Sequence, residues 1–267
     1  MARKRDIALC INLNDFYEHG IARGVVRYAK ELGSWRLFGY GWMFRPVGSL
    51  SEWRGDGIIA RIEFKEDFDR IRALRIPVVD VAGAFIGKGV STVSNDDLAT
   101  GAAGAELLLS QCFVNFAFCG ASGVEWSSKR LEGFISKLGG SPSSCPVFLK
   151  PLRWWEAQKV SRSLKAWISK LTLPCAVMAC NDTAGVLLCA ACRDMGLKVP
   201  DDIAVIGVDN EDVLCELSNP SLSSIPLDCE RIGYESAALL NSIISSRKIP
   251  KEISLVPPGQ AVRRAST

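Results

Sequence analysis

The sequence predicts an α/β protein built as two doubly wound, parallel-sheet lobes. Three observations predict it. Short apolar runs of strand length alternate with amphipathic runs of helix length almost without a break. The runs form two series, before and after about Phe113, and each series has enough strands for its own sheet. No Gly/Ser-rich linker separates the series, so two lobes joined by short crossing segments fit better than two beads on a string.

In the first series, strands are predicted at Ile7–Leu13, Trp35–Tyr40, Gly57–Ala60, Val78–Ala82 and Val90–Val93. Between them lie helices at His19–Leu32, Glu66–Leu74 and Leu98–Gln111, with a helical turn at Leu50–Arg54. The first of these carries Ile21, Val25, Tyr28, Ala29 and Leu32 on one face and stops at Gly33. The third carries Gly101 to Ala105, small residues that let its backbone pack close to a sheet.

The second series repeats the alternation. Strands are predicted at Asn115–Cys119, Cys145–Leu149, Cys175–Ala179, Ile203–Val208 and Ser223–Ile225. Helices are predicted at Ser127–Leu138, Glu156–Lys170 and Thr183–Met195. Ser127 or Ser128 caps the first of them, and Gly139-Gly140 and Gly196 are stops. A long amphipathic helix at Asp228–Ser246 and a strand at Ile253–Val256 close the set.

The most informative stretch is Val199–Asn219. Pro200 cannot continue a helix, and the apolar run Ile203–Val208 suits one buried strand. The run stops on Asp209-Asn210-Glu211-Asp212. Ligands of open parallel sheets sit beyond the carboxyl ends of the strands, which is where Asp209 falls.

Composition narrows the function. The 267 residues are 48% hydrophobic and 23% charged, the balance of a globular chain with a sizeable core. A net charge of +3 is too weak to mark a nucleic-acid-binding face. The ten cysteines are irregularly spaced and mostly sit in apolar runs, as small core hydrophobes of a reducing compartment do. Cys189-x-x-Cys192 falls within a helix with no second pair and no nearby His, so it reads as packing and not as a metal or redox motif. No segment reaches the ~18 apolar residues of a membrane span. The opening MARKRD-IALCINL lacks a cleavage site and carries Asn12, so it reads as a first strand.

The strand ends offer Asn12, Asn14, Arg61, Asn95, Asp96, Asn181, Asp182, Asp209 and Asn210, with Arg130 one turn into a helix. Phe16, Tyr17, Trp42, Phe85, Trp126 and Trp154 are the aromatic companions. Carboxylates accept hydrogen bonds from hydroxyls, amides donate and accept, and a guanidinium donates through a rigid fork. Aromatic faces cover the C–H side of a ring. This mixture suits a neutral polyhydroxylated ligand. Each residue also has a plainer reading: Asp209 as a loop cap, Arg130 as a solvated helix residue, Trp126 and Trp154 as core, Asn181-Asp182 as an N-cap, and His19 as a surface or capping residue. No phosphate loop, dinucleotide fingerprint, nucleophile elbow or metal-spaced His/Cys set is present, so neither an enzyme nor a cofactor or metal is expected.

Several segments resemble the ligand-binding region of the lactose/galactose repressor family, which shares the type I periplasmic-binding-protein fold. They are VSNDDLATGAAGAELLL (93–109), FAFCG (116–120), KRLEGF (129–134), the block from PCAVMACNDTAG to VPDDIAVIGVDNED (174–212), NPSLSSI (219–225), IGYESAALL (232–240) and RRAST (263–267). GDGIIAR (55–61), IPVVDVAG (76–83) and ISLVPP (253–258) are similar to the AraC-type xylose operon regulators of that family. The resemblance implies a ligand cleft between the two lobes, with Asp209 and Arg130 contacting a sugar and Asp96, Asn181 and Asp182 facing the cleft. Asn12, Asn14 and Trp126 are placed there by local position alone. It also implies lobes of 1–112 plus 226–247 and of 113–225 plus 248–263, with a helix-turn-helix domain following residue 267. The expected protein is a cytoplasmic, homodimeric sensor of a sugar, with no membrane contact. It meets DNA only through that following domain, and sugar-driven lobe closure would carry the signal.

Overall fold

The computed structural model describes residues 3–13, 15–39, 50, 52–140, 145–152, 160–246 and 252–267. The chain divides into two compact units, Met1–Asn95 with Asp228–Val256 and Asp96–Leu227 with Pro257–Thr267.

The first unit holds β1 (Arg5–Cys10), α1 (Phe16–Leu32), β2 (Trp35–Gly39), β3 (Gly57–Ala60), α2 (Lys65–Ala73), β4 (Val78–Asp80) and β5 (Ser91–Asn95). To these the chain later adds α8 (Cys229–Ser246) and β11 (Ile253–Val256). Among the described residues its sheet has six strands, ordered β11-β5-β4-β3-β1-β2, and every pair is parallel.

The second unit holds α3 (Asp97–Leu109), β6 (Asn115–Ser122), α4 (Glu125–Lys137), β7 (Val147–Pro151) and α5 (Val160–Ile168). It continues with β8 (Cys175–Ala179), α6 (Asp182–Asp194), β9 (Ile203–Asp209), α7 (Asp212–Leu217) and β10 (Ser223–Pro226). Its sheet is ordered β10-β9-β8-β6-β7, again all parallel. In each sheet the order reverses once, between β1 and β3 in the first and between β6 and β8 in the second. Those reversals are where an open parallel sheet leaves a crevice at its carboxyl edge.

The strands form where unbroken apolar runs can be covered on both faces. β3 and β8 are buried at every position. The first core gathers Ile58, Ala60, Ile62, Phe68 and Ile71. The second gathers Phe118, Phe134, Met178, Leu188 and Ile206, together with Cys189 and Cys192. None of the ten cysteines is in a disulfide and only Cys112 is exposed, in keeping with their reading as core residues.

Two helix pairs pack with their backbones in contact. A Cβ on Gly24 of α1 would lie 2.0 Å from the Glu230 carbonyl oxygen of α8, and one on Gly233 would lie 1.9 Å from the Ile21 oxygen. In the second unit, Gly101 of α3 faces the Arg130 oxygen at 2.0 Å and Gly133 of α4 faces the Leu98 oxygen at 2.0 Å.

Several expectations change, among them the bounds of β1, which runs over Arg5–Cys10 and leaves Asn12 beyond it. Residues 96–112 belong to the second unit and not the first, because α3 packs on α4 and reaches β8, β9 and β10. Residues 253–256 belong to the first, because β11 pairs with β5. The α1 helix starts at Phe16, since the Asp15 side chain accepts from the Glu18 amide at 3.1 Å and caps it there. The α4 helix starts at Glu125, and Ser127 is not its cap: its Oγ is buried and accepts from the Ala121 amide at 3.0 Å. Asn14, Trp42, Trp154 and the expected helical residues 156–159 lie outside the described residues.

Candidate ligand-binding site

In the second unit the site is built at the end of β9. Asp209 has φ +105° and Asn210 φ +52°, a region in which side-chain-bearing residues are uncommon. Hydrogen bonds hold this turn from below. The Asn210 amide donates to Ser224 Oγ at 3.0 Å, and the Glu211 amide donates to the Asp182 carboxylate at 2.8 Å. Asp182 is buried and also accepts from Ser224 Oγ at 2.5 Å. It fits beneath β9 because residue 207 is glycine; a Cβ there would lie 2.2 Å from its Oδ1. Burial pushes the Asp182 carboxyl up to about 6, against the pull of its Ser224 and Glu211 bonds.

Arg130 sits beside Asp209. Its Nη1 is 3.8 Å from the Asp209 carboxylate, and its guanidinium carbon lies 5.0 Å over the Trp126 ring. The side chain is 4% exposed. Its Nε donates to Asp97 at 2.8 Å, and its Nη1 donates to the Cys180 carbonyl at 2.6 Å. Burial works against the charge, but Asp97 and then Asp209 outweigh it and hold the guanidinium more firmly protonated. The reverse holds for Asp97, whose carboxyl burial raises even with Arg130 against it.

The remaining expected residues divide. Asp96 accepts from the Ala99 amide at 2.9 Å and caps α3; Asn181 accepts from the Ala184 amide at 3.0 Å and caps α6. The N-cap reading therefore applies to Asn181, while its neighbour Asp182 turns inward under the β9 turn. Trp126 is half-buried against the core, and its Nε1 has no hydrogen-bond partner among the described residues. The structure thus brings Asp209, Arg130 and Trp126 together, with Asp182 supporting them.

The first unit presents a second polar group at its own carboxyl edge. Arg61, after β3, pairs with Glu18 at 3.1 Å, Glu63 at 2.9 Å and Asp15 at 3.8 Å, and lies 5.1 Å over the Tyr17 ring. Burial opposes the Arg61 charge, and Glu63 and Glu18 more than restore it. Burial raises the Glu18 carboxyl. Asn95, at the end of β5, donates to the Tyr17 hydroxyl at 2.9 Å. Asn12 is exposed after β1, and its amide donates to the Glu18 carboxylate.

Asp97, Asp15, Glu18 and Glu63 are charged residues that sequence reasoning missed. Glu18 had a signal: Asp15-x-x-Glu18 is the pattern of a helix start. Asp97 had none beyond its neighbour, since either of two adjacent aspartates can cap. His19 is exposed on α1, and no group of three metal-ligating side chains forms among the described residues. Nor is any helix among them long and apolar enough to cross a membrane.

Comparison with known proteins agrees with this architecture. Residues 90–267 match the periplasmic binding protein-like domain family, and residues 6–92 match the XylR N-terminal domain. The xylose operon regulatory protein of Escherichia coli K12 is 27% identical over 99% of this chain and 70% of its own length. The Haemophilus influenzae protein of that name is 25% identical over 98% of this chain and 70% of its own length. Among solved structures, a xylose-binding transcription activator aligns with a TM-score of 0.85 and 25% identity, over 99% of this chain and 70% of that one. A ribose-bound LacI-family regulator from Enterococcus faecalis shares the fold, with a TM-score of 0.78 at 21% identity, over 99% of this chain and 98% of that one. The resemblance to lactose/galactose-repressor-type sensors and to xylose operon regulators is borne out. By the match over residues 90–267, the chain belongs to the periplasmic binding protein-like domain family.

Proposed function

We propose that this chain is the sugar-sensing domain of a transcription regulator and that its effector is a neutral pentose of the xylose type. The observation that carries the reading is the pairing of Asp209 and Arg130 over Trp126 at the carboxyl end of β9. In this reading Asp209 accepts from vicinal sugar hydroxyls, Arg130 donates to a ring or hydroxyl oxygen, and Trp126 covers the apolar face of the ring. The protein binds the sugar and performs no chemistry on it. Effector binding shifts a conformational equilibrium by the difference in its affinity for the two states. A DNA-binding domain following residue 267 reads that shift, and the regulator works in the cytoplasm as a homodimer. Support comes from the xylose operon regulatory proteins that align along nearly the whole chain.

A thermal-shift and calorimetric comparison of xylose, ribose and cellobiose tests the reading. Xylose at a hundred times its Kd is expected to stabilise the chain by about 2.7 kcal/mol. Asp209→Asn, which keeps the shape and the turn but removes the charge, is expected to remove that response. A chain that responds to none of these sugars, or an Asp209→Asn variant that responds like the parent, would sink it.

A further inference from the structure

The last residues of the chain are woven into the second sheet. Ser224 of β10 and Val262 exchange backbone hydrogen bonds of 3.0 and 2.8 Å as an antiparallel bridge. Ser266 is fully buried. Its Oγ donates to the Val205 carbonyl at 2.7 Å and accepts from the Ser223 amide at 2.8 Å, and its own carbonyl accepts from the Val205 amide at 2.8 Å. The Arg264 amide donates to Ser223 Oγ at 2.8 Å.

From this anchored tail the Arg264 side chain reaches the ligand end of the sheet. Nη1 donates to Asn210 Oδ1 at 3.0 Å and to the Leu222 carbonyl at 2.9 Å. Nε donates to Glu216 of α7 at 2.7 Å. The Arg264 side chain is 11% exposed, while Glu216 is 66% exposed. Asn210 is one of two consecutive left-handed residues, a conformation that persists only where its surroundings hold it. Its amide is held by Ser224 and its side chain by Arg264. One rigid fork therefore joins the turn carrying Asp209, the helix after it and the tail.

We propose that Arg264 is a positioning residue for the Asp209–Asn210 turn, and that it makes this turn and residues 262–267 a single mechanical unit. A ligand that fixes Asp209 then tightens the tail, and by linkage whatever fixes the tail tightens ligand binding. The pinning stands on the geometry alone; its connection to an effector rests on the sugar reading above.

Hydrogen–deuterium exchange on the full chain, with and without xylose, tests both. Asn210→Gly removes the acceptor while tolerating the positive φ, and Arg264→Lys keeps the charge but loses the fork. Without sugar, Asn210→Gly is expected to speed exchange in 209–216 and 262–267 by about tenfold, the loss of one charge-assisted hydrogen bond, and Arg264→Lys by at least as much. Asn210→Asp, which restores an acceptor, and Glu216→Ala, which removes only the exposed partner, are expected to exchange like the parent. Xylose is expected to slow both segments in the parent and to leave the tail of Asn210→Gly unmoved. Unchanged sugar-free exchange in both Asn210→Gly and Arg264→Lys would overturn the pinning, whether or not xylose binds. Xylose protection of 209–216 without protection of 262–267 in the parent would overturn the coupling. Faster sugar-free exchange in the two variants, with no xylose response in any chain, would support the pinning and overturn the sugar reading alone.

Discussion

Arg130 has two roles that pull in different directions. It faces Asp209, where a ligand contact is proposed, yet its Nε and Nη1 are bonded to Asp97 and the Cys180 carbonyl inside the second unit. A buried charge deprived of its partner costs about 3–5 kcal/mol. Arg130→Ala is therefore expected to lower stability by that order in urea titration, because it strands Asp97. Replacing both residues by apolar ones of similar size should recover most of the loss. An Arg130→Ala chain that melts with the parent would show that the pair is not structural. This is also why Asp209→Asn, and not an Arg130 variant, is the clean test of ligand binding. Asp209 was legible in the sequence because an apolar strand stops on it. The inward turn of Asp97 was not, since which of two adjacent aspartates caps a helix depends on the side chains beneath it. Asn181 and Asp182 divided in the same way, one to the cap and one to the interior.

The reciprocal glycine contacts decide where α3 and α4 sit, and hence how far Asp97 is from Arg130. Gly101→Ala would push its Cβ into the Arg130 carbonyl, which has no flexible atom to yield. Overpacking of this kind costs typically about 1–3 kcal/mol. The expected result is a loss in that range in urea titration, with reduced sugar affinity in the same variant. Gly139→Ala is the contrast: φ is +67° but nothing stands within 4 Å, so only the left-handed backbone is penalised, by roughly 1–2 kcal/mol. Equal sugar affinities in the two variants would separate helix spacing from the site. At this scale β3, β8 and β11 match their sequence boundaries residue for residue, because each is an apolar run bounded by polar or turn residues. Helix ends shifted by one to three residues, where caps such as Asp15 fixed them. The six-residue α7 went unread because it buries only Cys215 and shows no helical period. The assignment of α3 to the second unit is a matter of tertiary packing, and the residues of α3 do not encode it locally.

Across the molecule, two buried carboxylates give stability a defined pH dependence. Asp80 in the first unit accepts from the Ile62, Ala82 and Gly83 amides at 3.1, 2.9 and 2.9 Å. Burial nevertheless raises it from 3.8 to about 6, as it does Asp182 in the second unit. A carboxyl raised on folding binds more protons in the native state between those values, so its contribution favours folding below about pH 4 and fades as pH rises through 6. For Asp80 the difference corresponds to about 3 kcal/mol. Calorimetric unfolding at pH 5 is expected to release protons into the buffer. Proton uptake instead would contradict the burial of these groups.

The order in which the chain visits its two units also bears on how it can be taken apart. The chain passes from one unit to the other after Asn95, Leu227 and Val256. Each unit is consequently assembled from two stretches of sequence that are far apart in the gene. A fragment ending at Asn95 would lack β11 at the edge of its sheet and α8, the helix that seats against Gly24 of α1. Recombination or engineering that exchanges one unit of this protein must therefore cut at all three crossings, because no break at a single point leaves either unit whole.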